Sequence, residues 1–175
     1  MRITISGPPG SGTTSLARYL ATRHGYRTIS AGEFFRALAA ERSMSLGDFG
    51  RLAESDPSVD KLIDARQKET AESSDDIIAE GRLSGWMVEN ADIRIWLAAS
   101  IECRTGRISS RDGEDEAAAR LHTEERQACE RARYRTYYGI DIDDLSVYDL
   151  VLSSERWDVD ALGAIVDAAI AVSRR

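Results

Sequence analysis

The chain has 175 residues, 42% hydrophobic and 30% charged, with 30 Asp and Glu against 23 Lys and Arg for a net charge of -7. That length builds one domain with an ample core, and these ordinary fractions exclude intrinsic disorder and a collagen-like or disulfide-stapled scaffold. An acidic balance without a basic run speaks against a nucleic-acid or membrane-surface binder, so any anionic ligand must be held in a local site.

In chain order, Ile3-Thr4-Ile5-Ser6 reads as a short buried strand ended by a turn cluster, Gly7 to Gly12. Leu16, Ala17, Leu20 and Ala21 then recur at helical spacing, which predicts a helix over about 13 to 24. A strand at 27–30 and a helix at 32–42 follow. Residues 44–73 read as two helical pieces broken near Ser55-Asp56-Pro57. Further strands are predicted at 76–80 and 93–97, then a helix carrying Arg104 and Arg107 and a polar break at 109–113. A long charged helix should cover 114–136, with a last strand at 148–152 and a closing helix at 159–173. Strands alternating with helices predict an α/β fold with a five-stranded parallel sheet.

Gly7-Pro8-Pro9-Gly10-Ser11-Gly12-Thr13-Thr14 has the strand-to-helix context of a phosphate-binding loop, with Ser15 in the next turn. Glycines let backbone N–H groups turn inward as an anion nest, and the helix N-terminus adds partial positive charge. The Thr14 hydroxyl takes the Mg²⁺-ligating position. Thr13, however, stands where the pattern has lysine. On the residues alone, either the loop is a degenerate site or arginines from elsewhere supply the missing charge. The basic residues are 21 arginines and two lysines, Lys61 and Lys68, and guanidinium forks suit phosphate oxygens. Cys103, Cys129, His24 and His122 show no zinc-like spacing. Free thiols, a cytoplasmic location and no membrane span are expected.

In these elements and their order, the chain resembles the nucleoside monophosphate kinases, most closely the archaeal-type cytidylate kinases. The resemblance runs along nearly the whole chain. It is carried by Gly7 to Thr14 with Thr-Thr for Lys-Thr, Ser30-Ala31-Gly32-Glu33-Phe34-Phe35-Arg36, Ile63-Asp64-Ala65-Arg66-Gln67, Glu80-Gly81-Arg82-Leu83 and Tyr138-Gly139-Ile140-Asp141. It implies a P-loop kinase fold in a single domain over 1–175, with a helical acceptor-binding region near 32–73 and a lid near 104–135. It also implies transfer of the γ-phosphoryl group of ATP, with Mg²⁺, to CMP and dCMP by a monomer acting on small molecules.

The resemblance assigns the loop residues Gly7 to Ser15 to ATP, and Thr14 with Glu80 to the metal. Ser30, Gly32, Arg36, Gly81 and Arg82 fall to the CMP side, Arg82 also serving transfer. Asp64, Arg66 and Gln67 are polar residues there that could read the cytosine edge. Arg104, Arg107 and Arg111 lie at i, i+3 and i+7, and the lid assignment makes Arg107 or Arg111 a ligand of ATP. On the lid's return side, Arg126 and Arg133 are expected to close on the transferring group. The reaction needs no protein nucleophile, so arginines rather than a catalytic triad should carry it. An adenylate- or uridylate-type kinase and a non-catalytic ATP-binding regulator remain the alternatives. Trp86, Trp96, Trp157 and Tyr134, Tyr137 and Tyr138 are read as packing residues.

Overall fold

A computed structural model describes residues 1–173. Its strands are β1 (Arg2–Ser6), β2 (Arg27–Ser30), β3 (Ile77–Glu80), β4 (Ile93–Ala98) and β5 (Leu150–Ser153). They form one sheet in the order β2-β3-β1-β4-β5, every pair parallel. Parallel strands need crossovers, and the near-continuous burial of β1 and β3 reflects cover on both faces. The chain first builds outward from β1 to β2 and β3, then returns to the other side of β1 for β4 and β5. The strand order therefore reverses beside β1, and a crevice opens at the carboxyl ends of β1, β3 and β4.

The main core lies where α1 (Thr13–His24) and α8 (Val159–Ser173) pack on the sheet, with Ile3, Ile5, Leu16, Leu20, Ile95, Leu97 and Val166 each at most 1% exposed. A second, smaller core binds α2 (Ala31–Glu41), α3 (Leu46–Ser55) and α4 (Pro57–Glu72) around the fully buried Phe49. Burying that ring alone is worth about 1.5–3 kcal/mol. Asp56 caps α4 through Ser58 N at 2.9 Å, and Pro57 takes its first position, where no N–H is required. The two helical pieces expected between β2 and β3 are therefore α3 and α4.

Three local differences stand out. The polar stretch at 109–113 does not break the chain early: α6 (Ile101–Asp112) runs to Asp112, and the stop is Gly113 with φ 67. Serine and arginine are tolerated inside a helix, whereas the left-handed turn needs glycine. Asp115 then caps α7 (Glu116–Tyr138) through Ala117 N and Ala118 N. The last strand begins at Leu150, not at residue 148, because Tyr148 is drawn inward against the Trp96 ring with centroids 5.2 Å apart. A single turn, α5 (Ser84–Met87), follows β3 and was not expected. Among the described residues, no helix is long and apolar enough to cross a membrane.

Candidate active site

The turn from β1 into α1 sits at the mouth of the crevice. Gly10 and Gly12 take φ 82 and 90, and Ser11 N donates to Pro8 O at 3.1 Å to close the turn. A side chain at Gly10 would place its Cβ 2.6 Å from the Arg104 carbonyl. No side chain caps the N-terminus of α1. Among the described residues its first N–H groups have no partner and open toward the crevice, which is the physical requirement for holding an anion. Gly7, Pro8, Pro9, Gly10, Ser11, Gly12, Thr13, Thr14 and Ser15 thus form one contiguous loop and first turn.

Glu80, at the carboxyl end of β3, gathers three hydroxyls. Thr13 Oγ1 donates to it at 2.9 Å, Thr14 Oγ1 at 3.1 Å and Ser30 Oγ at 2.5 Å. Parallel register sets Ser30 beside Glu80, so the contact follows from strand pairing. Thr13, standing where lysine is usual, thereby tethers the loop to β3. Gln67 behaves differently from expectation. It is 1% exposed, donates from Nε2 to Glu80 O at 2.8 Å and accepts from Ser84 Oγ at 3.0 Å. Each end of its amide makes one contact that holds the β3 terminus. Gly81 lies against Ala31, where a Cβ would stand 2.7 Å from the Ala31 Cβ.

The arginines divide into three groups. Arg104 is 5% exposed and donates to Ala99 O at 3.2 Å and Pro9 O at 3.0 Å, fastening α6 to the loop. Arg107 donates to Gly10 O at 3.3 Å and to Ser154 O at 2.6 Å. It walls a cavity of about 210 Å³ together with Ser11, Gly12, Ser15, Ser154 and Trp157. Trp157 is 38% exposed there rather than packed in the core. Arg111 is not brought to this cavity, because it pairs with Asp112 at 2.7 Å on the exposed side.

The second group surrounds Glu130 of α7. Arg82 Nε donates to Glu130 Oε2 at 2.5 Å, and Arg126 Nε donates to Oε1 at 2.7 Å. Burial alone would push the Glu130 carboxyl up, but the two guanidinium charges hold it down at about 2. Arg82, Arg126 and a carboxylate not foreseen from the sequence are thus one cluster. The Arg126–Glu130 spacing of i,i+4 was a readable signal, whereas the Arg82 half required the fold.

The third group links α4 to α7. Arg133 Nε stands 2.9 Å from Asp60 Oδ2. Tyr138 Oη donates to Asp64 Oδ2 at 2.7 Å, leaving Asp64 Oδ1 without a protein partner among the described residues. Burial raises the Asp64 carboxyl to about 6; the Tyr138 hydrogen bond pulls it down and the Asp60 charge adds to the rise. Arg133 is therefore held to α4, while its charge is still felt by Glu130 and Arg126. On α2, the Arg36 guanidinium is exposed and folds back beside Gly32, 3.3 Å from where a Cβ would lie, without an acid partner among the described residues. Arg66 is exposed on the outer side of α4.

Comparison with known proteins adds the following. Residues 2–156 match the model of the cytidylate kinase-like family. The chain is 69% identical over 175 residues to the cytidylate kinase of Methanoculleus marisnigri, covering 100% of this chain and 97% of that one. It is 64% identical over 171 residues to the cytidylate kinase of Methanoregula boonei, covering 97% and 94%. Among solved structures it resembles shikimate kinase from Acinetobacter baumannii with a TM-score of 0.63 at 14% identity, covering 98% of this chain and 93% of that one. At that identity the likeness speaks for a shared P-loop kinase fold alone.

Proposed function

Because the chain belongs to the cytidylate kinase-like family, we propose that it transfers the γ-phosphoryl group of ATP to CMP, and to dCMP, giving ADP and the nucleoside diphosphate. What supports the reading is a guanidinium beside the phosphate loop that is placed to take a second anion. Arg82, two residues past Glu80, has its Nε held by Glu130, and among the described residues its terminal amino groups have no protein partner. A protein that only sensed ATP would have no use for it.

In this reading the loop and the open N-terminus of α1 hold the ATP phosphates, and the cavity beside Arg107 and Trp157 takes the adenosine end. Arg36 and Arg82 hold the CMP phosphate, with Ser30, Gly32 and Gly81 keeping the backbone close. A CMP phosphate oxygen attacks the γ-phosphorus in line, and the bond to the ADP oxygen breaks as the new one forms. The residues supply position and positive charge; none donates an electron pair to phosphorus. Arg82 and Arg126 flank the equatorial oxygens and replace the absent lysine's charge.

Thr14 and Glu80 would hold Mg²⁺. One carboxylate beside one hydroxyl, completed by phosphate oxygens and water, fits the sparse protein ligation of that ion. Bound there, it supplies neutralisation of phosphate charge. Asp64 Oδ1 accepts from the exocyclic amine of cytosine, where uracil offers a carbonyl instead. The α2–α4 unit is the acceptor-binding region, and α6–α7 is the lid.

Kinetics of Arg36→Ala and Arg82→Ala test this reading. Both should raise KM for CMP, by about tenfold or more for loss of a charge-assisted contact, with KM for ATP little changed. Loss of ATP affinity with CMP affinity intact would reverse the assignment of the two sites.

A further inference from the structure

Glu130 has no place in the family resemblance and was not among the expected site residues, yet it sits at the centre of the cluster facing the crevice. Its carboxylate is 4% exposed and accepts from the Nε of two arginines on different elements, Arg82 after β3 and Arg126 on α7. Each arginine spends only its Nε–H on the carboxylate. Among the described residues, the terminal amino groups of both have no protein acceptor. The Arg82 side chain is 11% exposed and that of Arg126 64%, so the Arg82 donors lie in a largely desolvated place while those of Arg126 reach open solvent. Two guanidinium groups with free terminal N–H donors, one of them largely desolvated, suit a phosphate, whose oxygens accept charge-assisted hydrogen bonds.

We propose that Glu130 is a positioning residue for phosphoryl transfer. It holds two mutually repelling guanidinium groups side by side, with their terminal amino groups turned toward the transferring phosphoryl. The inference rests on the reading of Arg82 as an acceptor-phosphate ligand. Without the carboxylate the two cations separate by repulsion, and the lid arginine loses its anchor to β3. The carboxylate also sets the charge of the cluster at +1 rather than +2. The two effects have opposite signs for binding and for chemistry. Removing the negative charge makes the site more attractive to a phosphate dianion, while the lost alignment slows transfer.

That opposition gives a test that a merely structural role would not pass. Glu130→Gln keeps the shape and one acceptor but removes the charge. Thermal unfolding by circular dichroism checks its fold, and kcat and KM for CMP are measured beside those of Arg82→Ala. The expected result is kcat lowered about 10- to 100-fold, with KM for CMP unchanged or lower. Glu130→Asp, which restores the charge on a shorter stem, should recover part of kcat. An unchanged kcat in a folded Glu130→Gln, with Arg82→Ala impaired, overturns the inference and leaves the Arg82 reading standing. Arg82→Ala with native kcat and KM overturns both. If Glu130→Gln does not fold, Glu130→Asp decides: a fall in kcat at unchanged KM supports positioning, and native kcat overturns it.

Discussion

At the scale of single residues, chemistry here is set by what each polar group is left to do after packing has claimed its partners. Asp64 and Gln67 lie one turn apart on α4, and both are polar residues on the acceptor side. Gln67 has both amide ends occupied, whereas Asp64 keeps one carboxylate oxygen open. Asp64 is faced by Tyr138 and Arg133 from α7 and by Asp60 on its own helix, and burial leaves it titrating at about 6 against 3.8 for an exposed aspartate. The raised value means that folding favours the protonated form. Its contribution to stability is full below about pH 3.8 and is lost as pH rises through 6. Accepting from a cytosine amine requires the opposite form, so affinity for CMP should fall as pH drops through 6. For one proton at pKa 6 the change in KM between pH 7 and pH 5 is about tenfold. The CMP phosphate titrates nearby, so Asp64→Asn supplies the baseline. Wild type should show the additional loss, and Tyr138→Phe should move its midpoint upward by removing the hydrogen bond that favours the carboxylate. Identical profiles for wild type and Asp64→Asn would exclude the base-reading role. The polarity of Asp64 and Gln67 was legible in the sequence, but which one stays open was not. It depends on Ser84 and on the Glu80 carbonyl, which only the fold brings to α4.

At the scale of elements, α6 braces the lysine-less loop from outside. Arg104 and Arg107 spend their donors on the carbonyls of Pro9 and Gly10, so the loop is pinned from its outer side while its N–H groups face inward. Arg104→Met removes two hydrogen bonds and leaves carbonyls unsatisfied, at a cost of about 1–3 kcal/mol. KM for ATP should rise about tenfold in this variant, while KM for CMP holds, since no Arg104 contact reaches the acceptor side. An unchanged KM for ATP would show that the loop needs no outer support. The arginine stripe on α6 was visible from spacing alone. Its purpose was not, because backbone carbonyls leave no trace in sequence and because i+7 overshoots the loop. Arg111 lies four residues past Arg107, about 6 Å further along the axis, and pairs instead with Asp112. The α7 helix was likewise legible as a long charged helix. That its middle carries a buried carboxylate rather than a solvated one depends on Arg82 arriving from β3.

At the scale of the whole molecule, an acidic chain of net charge -7 must draw two polyanions together. On the proposed reading it does so by concentrating donors, unpaired among the described residues, at one reversal of strand order, where the ends of β1 and β3 and the faces of α2, α6 and α7 meet. The strand–helix alternation, the five strands and the two helical excursions were all readable, because each rests on local periodicity and turn chemistry. The order β2-β3-β1-β4-β5 and the one-turn α5 rest on long-range pairing and on Tyr148 packing, which periodicity does not encode. The measurement that tests the account most directly is coupled ADP release with ATP, Mg²⁺ and, in turn, CMP, dCMP, UMP, AMP and GMP. The account predicts turnover with CMP and dCMP well above the other three. Turnover led by AMP or UMP would contradict the reading of Asp64 and the acceptor assignment. No turnover with any acceptor, from protein that binds ATP, would contradict the kinase itself.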